Sequence, residues 1–418
     1  MMASKFYSIA FLMISLILAS CNSGIEAVEK INESNKATET FERGFTGIDE
    51  ITIEKINQTL MLAGQYFLNI QNPDGSLQYL YFPQAQQFSS ANNMIRQWMS
   101  TIALAEMRDY TRDEKYGRAF EKNMEFNFRN YYAEDGALGH IPYGNESKLG
   151  AAAFALTSAI KDDGNKYSGQ QRKLTNLILY LHNPSDGSFR TFYFPKERND
   201  NQNFYPGEAM LALMILYEEA GNETYLGAVR QSFDYYSAYH RKNPNPAFVP
   251  WHTMALYRLY QIGQDARYSD FIFDMNDFLI TIQNKSCSSP GNLGRFYDPK
   301  RGYYGPPHAS SDAVYVEGLT YAYRLAKELG REDKAESYKE AIILGTRSLV
   351  ELQYKEAEAE NRTDAYILLG GIRTSTERPE IRIDNSQHTI MALLQVLHTF
   401  SDDDLREFIE KNPQYVCP

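Results

Sequence analysis

The chain has 418 residues and a formal net charge of −11. No lysine- or arginine-rich stripe offsets that charge, so nucleic acid is not expected as a partner. Tyrosine is abundant at 31 residues. Most of these must pack between helices, and the rest offer the flat face and hydroxyl that suit wet, polar ligands.

Residues 1–20 read as a signal peptide. Lys5 precedes an apolar core from Phe6 to Ala19, with small residues before the cleavage point. The sequence Leu18-Ala19-Ser20-Cys21 resembles the lipobox of bacterial lipoproteins. That resemblance implies lipidation of Cys21 and an exported, membrane-anchored chain on a periplasmic or cell-surface face. Residues 21–50 are rich in Glu, Asn, Ser, Thr and Gly and lack a sustained apolar period, so they read as a flexible tether. The body is expected over 51–418. In an exported chain Cys287 and Cys417 can pair, tying the tail back to a loop, or stay free thiols. Their spacing alone does not choose.

Helical periodicity dominates the body. Six helical hairpins are expected, with first and second helices near 52–71 and 93–108, 114–130 and 147–161, 168–182 and 204–220, 222–239 and 249–262, 266–284 and 312–329, and 332–354 and 385–399. The links from second to first helices are short, and most of the links within hairpins are long. Each second helix opens on a polar or aromatic cluster and continues as an apolar run. Six such hairpins describe an all-α (α/α)6 toroid with long loops and a site on one face. The acidic run Asp402-Asp403-Asp404 reads as a solvated cap.

Two loop segments repeat. Asn72-Pro73-Asp74-Gly75-Ser76-Leu77 parallels Asn183-Pro184-Ser185-Asp186-Gly187-Ser188-Phe189, and Asp135-Gly136 is a shorter echo. Asp-Gly-Ser after a helix is turn chemistry, with Asp bonding its own backbone and Gly in the left-handed region. A helix, this turn, and a second helix resemble the hairpin unit of the six-hairpin α/α toroids. That superfamily includes six-hairpin glycosidases, uronate lyases and epimerases, and terpenoid-cyclase-like toroids. Phe204-Tyr205-Pro206-Gly207-Glu208-Ala209 and Tyr315-Val316-Glu317-Gly318-Leu319 are similar to the inner-helix starts of the six-hairpin type. The resemblance covers 51–418 and implies the architecture. No complete catalytic motif is present, so no residue's role comes from it.

The candidate site residues come from the second-helix openings. Arg96, Lys148, Glu208, Trp251 and His388 each have a small residue four positions on, at Ser100, Ala152, Ala212, Ala255 and Ala392. This places them on pore-facing sides in one layer, and Glu317 joins them although Tyr321 follows it. Glu208, Glu317, Asp312, Asp384 and His388 are the catalytic candidates. Arg96, Lys148, Tyr205, Trp251, His252, Tyr315 and Arg382 are the substrate-binding candidates. Plainer readings stand beside these. Asp312 and Asp384 have N-cap positions, Asp384 with capping-box spacing to Gln387. Glu208 suits a helix N-terminus, Arg96 and Lys148 can simply pair with Glu208 and Glu317, and His388 can be an ordinary bonded histidine. The His residues do not cluster at ligand spacing, so no metal and no cofactor is expected.

Paired carboxylates with aromatics suit a glycan or another polar polymer, processed by acid/base catalysis as in glycoside hydrolysis. A uronate lyase or epimerase is the alternative, with His388 or a Tyr as base and Arg96 on the carboxylate. A glycan-binding or scaffold lipoprotein without catalysis is the third reading.

Overall fold

The computed structural model describes residues 45–417. The signal segment, Cys21 and the tether up to residue 44 lie outside the described residues. Helices alternate between an outer and an inner ring. The hairpins are α1 (Ile53–Ile70) with α2 (Met94–Thr111), α3 (Glu114–Tyr131) with α4 (Leu149–Ile160), and α5 (Ser168–Leu181) with α6 (Tyr205–Ala220). They continue with α7 (Glu223–Lys242) and α8 (Val249–Gly263), α9 (Ala266–Ile280) and α10 (Ala309–Glu328), and α11 (Glu332–Leu352) and α12 (Ile383–Leu397). Each inner helix packs on the next inner helix and on the outer helix that follows it; α12 packs on α2 and α1, closing the ring. The chain is an (α/α)6 toroid, as the hairpin count predicts.

Composition sorts helices between the rings. In α4, every residue from Leu149 to Ala159 is buried, because an inner helix has protein on all sides. Small residues let the inner helices approach. A Cβ at Gly207 would stand 2.7 Å from the Cβ of Trp251 on α8, and one at Gly318 would stand 2.7 Å from Cα of Pro250. The outer helices are amphipathic, and four of the six (α1, α3, α7 and α9) start on side-chain caps. Thr52 accepts from the Lys55 N–H at 3.1 Å, and Asp113 and Asp265 cap α3 and α9 in the same way.

The repeated turn is a clamp between hairpins, and it occurs four times rather than twice. Gly75, Gly187, Gly294 and Gly370 all have φ between 80° and 95°. Each presses on the backbone of another outer helix, at Lys122, Gln231, Leu344 and Leu62 respectively, where a Cβ would overlap a carbonyl. The residue ending the preceding outer helix completes the device. Gln71, Gln283 and Gln353 donate across to the backbone carbonyls of Ala119, Ala341 and Thr59, each at 2.8 Å. His182 holds the fourth such place, bridging to Phe189. Gly136 is not a member, since a Cβ there would meet nothing within 4 Å.

Short strands stitch neighbouring loops. β1 (Leu80–Phe82) pairs with β2 (Gln87–Phe88) and with β8 (Ile381–Arg382), and Leu80 stands opposite Arg382. β3 (Ala133–Asp135) pairs with β4 (Leu138–His140). β6 (Glu146–Lys148) lies between β5 (Pro142–Tyr143) and β7 (Phe192–Phe194). Lys148 and Arg382 are therefore fixed by strand pairing immediately before α4 and α12.

Residues at the expected boundary between tether and body pack on the ring: Ile48 and Ile51 are buried, and the Thr46 N–H donates to Glu351 at 2.7 Å. A thirteenth helix, α13 (Asp402–Lys411), follows the ring. Its acidic start has specific partners: Asp404 closes a capping box with Ser401, and Asp402 accepts from the Ile53 N–H at 2.9 Å. A disulfide joins Cys287 to Cys417, with Cα atoms 5.3 Å apart.

Gly294→Ala is expected to lower unfolding free energy by at least about 2 kcal/mol, since left-handed strain and overlap with the Leu344 carbonyl act together. Gly136→Ala, with the strain alone, is expected to cost about 1 kcal/mol. Urea denaturation of the two variants checks the difference.

Candidate active site

The inner-helix N-termini bring one charged group together. Asp384, in the first turn of α12, is fully buried. Its carboxylate lies 3.1 Å from Arg96 Nε on α2 and accepts from Arg382 Nε at 2.9 Å. Burial alone would push this carboxyl up, but Arg96 and Arg382 outweigh it and hold Asp384 at about 2. The capping-box reading of Asp384 is corrected. The N-cap is Arg382, with no side-chain cap bond, and Gln387 instead accepts from Ser100 Oγ at 3.0 Å. Arg96 pairs with Asp384 rather than with a glutamate. The Arg96 and Arg382 side chains are 29% and 24% exposed, although Arg96 Nε itself is buried.

His388 lies one turn further along α12 and is 4% exposed. Its ring stands edge-on to Trp251, with centroids 6.1 Å apart. Burial pushes its imidazole down to about 3, and the Arg96 cation adds to this. Glu208 on α6 is 7% exposed. Burial raises its carboxyl to about 8 against the pull of Arg96, so it is mostly protonated at neutral pH. Its Oε2 sits where a Cβ on Gly150 would be, and Tyr205 crowds the same place.

His308, immediately before α10, was not singled out from the sequence. Its Nδ1 accepts from the Ser310 N–H at 3.2 Å. Burial lowers it to about 4, and it feels Arg382, Asp384 and Arg96. A polar residue just ahead of an apolar helical run was the available signal, the same one used for the other openings. Among the described residues, His388 Nδ1, His308 Nε2 and Glu208 Oε2 have no hydrogen-bond partner. Buried polar atoms are usually bonded, and these three unpartnered atoms all lie in the field of Arg96 or its aspartate partner, which makes this the candidate site.

Other candidates fall elsewhere. Glu317 adjoins Gly318, which packs on Pro250 of α8, as Gly207 beside Glu208 packs on Trp251. Burial raises Glu317 to about 8, with Glu106 adding to the effect, and Glu317 acts in turn on Tyr321, beside Arg258. Asp312 is locked into a fully buried ion pair with Arg295 and accepts from the Phe296 N–H at 2.9 Å. The cap of α10 is His308, not Asp312. His252 is fully buried, stacked on Phe248 at 3.4 Å, and forms core packing rather than a ligand contact. Lys148 pairs with Glu146 at 2.8 Å, at the rim, so its expected glutamate partner in the layer is replaced. Tyr205, Trp251 and Tyr315 are buried too deeply to present whole faces. Tyr315 packs edge-on to Phe296 beside Asp312. Phe204 and Tyr143 are the exposed aromatics of this region. The throat residues Ser100, Ala152, Ala212, Ala255 and Ala392 are fully buried, so the inner helices meet tightly there.

These ionisations give stability a pH signature. A carboxyl held at about 8 when folded, against 4.5 unfolded, contributes fully below about pH 4.5 and loses that contribution as pH rises through 8. His388 and His308, held at about 3 and 4 against 6.5, contribute fully above pH 6.5 and lose it as pH falls through 4 towards 3. Glu208→Gln is therefore expected to be more stable, relative to wild type, at pH 8.5 than at pH 5. Urea midpoints at the two pH values measure this.

No protein-family model matches the chain, and no curated protein sequence matches it. Solved structures do. An inactive variant of the alpha-1,6-mannanase of Salegentibacter sp. HEL1_6, in complex with alpha-1,6-mannotetrose, aligns with a TM-score of 0.60 at 10% identity, over 84% of this chain and 100% of that one. The unsaturated glucuronyl hydrolase of Streptococcus agalactiae gives 0.56 at 13%, over 83% and 93%. Cellobiose 2-epimerase from Bacillus thermoamylovorans B4167 gives 0.61 at 11%, over 82% and 98%. At these identities the likeness is one of fold, and the chain has the fold of the six-hairpin (α/α) toroid superfamily.

Proposed function

We propose that the chain is a carbohydrate-active enzyme that works by proton transfer at a sugar carbon, as in epimerisation, isomerisation or elimination. The observation that supports this best is the set of unpartnered atoms, His388 Nδ1, His308 Nε2 and Glu208 Oε2, around Arg96, Asp384 and Arg382. A neutral imidazole can accept a proton, and a protonated carboxyl can donate one. In this reading His388 removes a proton from a carbon next to a carbonyl group. The C–H electron pair moves onto the carbonyl oxygen, where the positive field of Arg96 and Arg382 stabilises it. Glu208, which burial keeps protonated, then supplies a proton to complete the reaction. Asp384 acts as a positioning residue that aims both guanidiniums. Three structural neighbours that act on or bind saccharides add support of a weaker kind, because fold alone does not fix chemistry.

Hydrolysis is the second reading, favoured by the protonated state of Glu208. It needs a second carboxylate free to act as base or nucleophile. Asp384 is held by two arginines, Asp312 by Arg295, and burial keeps Glu317 protonated at neutral pH. A binding protein without turnover is the third reading.

Incubation of the chain with oligosaccharides in D2O separates these readings. Proton transfer is expected to place deuterium on a ring carbon, read by NMR, and His388→Gln is expected to slow this at least about a hundredfold. New reducing ends with the ultraviolet absorbance of an unsaturated uronate mark elimination, and new reducing ends with neither that absorbance nor deuterium at carbon favour hydrolysis. Absence of all these signals leaves binding alone.

We also propose that Cys21 carries a lipid and that the chain works at a membrane surface. The motif Leu18-Ala19-Ser20-Cys21 and the polar stretch after it support this. Cys21→Ser is expected to abolish acylation. If that variant still carries acyl chains and sediments with membranes, the anchor lies elsewhere.

A further inference from the structure

The charges at the mouth do not balance. Lys148 is matched by Glu146 at 2.8 Å, Arg198 by Asp200 at 2.8 Å, and Arg378 by Glu380 at 2.6 Å. Arg96 and Arg382 share Asp384 as their ion-pair partner; Glu208 also lies in the Arg96 field, but burial holds it protonated, and Glu380, which acts on Arg382, is paired with Arg378. The Asp384 carboxylate is wholly buried, while the Arg96 and Arg382 side chains are partly exposed. One positive charge is therefore left over in a partly dry site, in a chain whose net charge is −11. A surplus cation at a water-poor place is costly unless an anion completes it.

We propose that the saccharide taken by this site is acidic, and that its carboxylate is bound by Arg96 and Arg382 from the side opposite Asp384. This deepens the proton-transfer reading and rests on it for the sugar. A guanidinium presents its donors in a planar fork that matches the two oxygens of a carboxylate. Arg382 already spends its Nε and one terminal nitrogen on Asp384, which leaves the other terminal nitrogen to face a ligand. Arg382 also lies over the Tyr79 ring, 5.8 Å from its centroid, a contact that steadies the guanidinium.

The same charge explains how an unpromising base becomes useful. In the free site the Arg96 field adds to burial in holding the His388 ring low, where it would be a weak proton acceptor. A bound carboxylate cancels part of that field and raises the basicity of the ring. It does so beside the carbon that bears the carboxylate, whose proton is the one such a sugar can release. A neutral sugar would leave the field in place. The unpartnered His388 Nδ1, on a residue 4% exposed, is the second observation that points to a ligand here.

Calorimetric titration of the full chain in detergent tests this. The probes are oligosaccharides of polygalacturonate, alginate and heparosan, neutral gluco- and manno-oligosaccharides, and glucose 6-phosphate. At least one acidic oligosaccharide is expected to bind at least about tenfold more tightly than every neutral one, as charge-assisted bonds should give. Arg382→Gln is expected to remove most of that preference, and Arg382→Lys to keep part of it, with melting curves showing both variants folded. Equal binding of neutral and acidic probes overturns the proposal. So does an Arg382→Gln variant with the acidic preference intact, or tighter binding of the phosphate than of any carboxylate. Acidic binding without deuterium exchange removes the proton-transfer reading and keeps this one. Exchange on a neutral sugar alone does the reverse.

Discussion

One carboxylate joins the two ends of the ring. Asp384 belongs to the last inner helix and Arg96 to the first, and their ion pair spans the seam where a toroid must close. Ser100 and Gln387 cross the same seam a turn further in. An open stack of hairpins would leave the apolar faces of its first and last units bare. Here α12 covers both α1 and α2, and the ion pair fixes the register in which it does so. Removing one partner of a buried pair leaves the other uncompensated, commonly at a cost of about 3–5 kcal/mol. The seam and the site are therefore one structure, and a change at Asp384 disturbs both.

The chemistry of the mouth follows from that pair. Two arginines around one aspartate make the local potential positive, and the tight throat below keeps the region dry. Positive potential and burial both favour neutral imidazole, so His388 and His308 carry no proton at neutral pH. Burial acts on Glu208 in the opposite sense and keeps its proton on. Opposite protonation states thus arise from one environment, a neutral imidazole at His388 and a protonated carboxyl at Glu208. The loop strands β6 and β8 deliver Lys148 and Arg382 to the rim at fixed positions, and the Gly370 clamp holds the loop of Arg382 to α1.

The fold was legible because hairpin architecture writes itself in period. Inner helices are apolar on all sides and outer helices on one, and the links alternate in length. Arg96, Glu208, Trp251 and His388 were legible for a related reason, since each stands at the opening of an inner helix above a small residue. The misreadings share a cause. Asp384 sits where a capping carboxylate would, but its partners come from α2 and from the strand before it, which no local rule can see. Asp312 was read as a cap for the same reason, while its partner Arg295 comes from the loop before α10. Only two of the four glycine clamps were visible, because the other two lack the Asp-Gly-Ser spelling and share only backbone geometry.

The ionisation of His388 tests this account most directly. Nitrogen chemical shifts of its ring, assigned with a His388→Gln variant, report protonation from pH 3 to 8 in the full chain. The account expects a neutral ring down to about pH 4, and a titration that moves upward when an acidic oligosaccharide is added. A ring that titrates near 6.5 in the free protein would contradict it, because neither the burial nor the Arg96 field would then be acting on the proposed base.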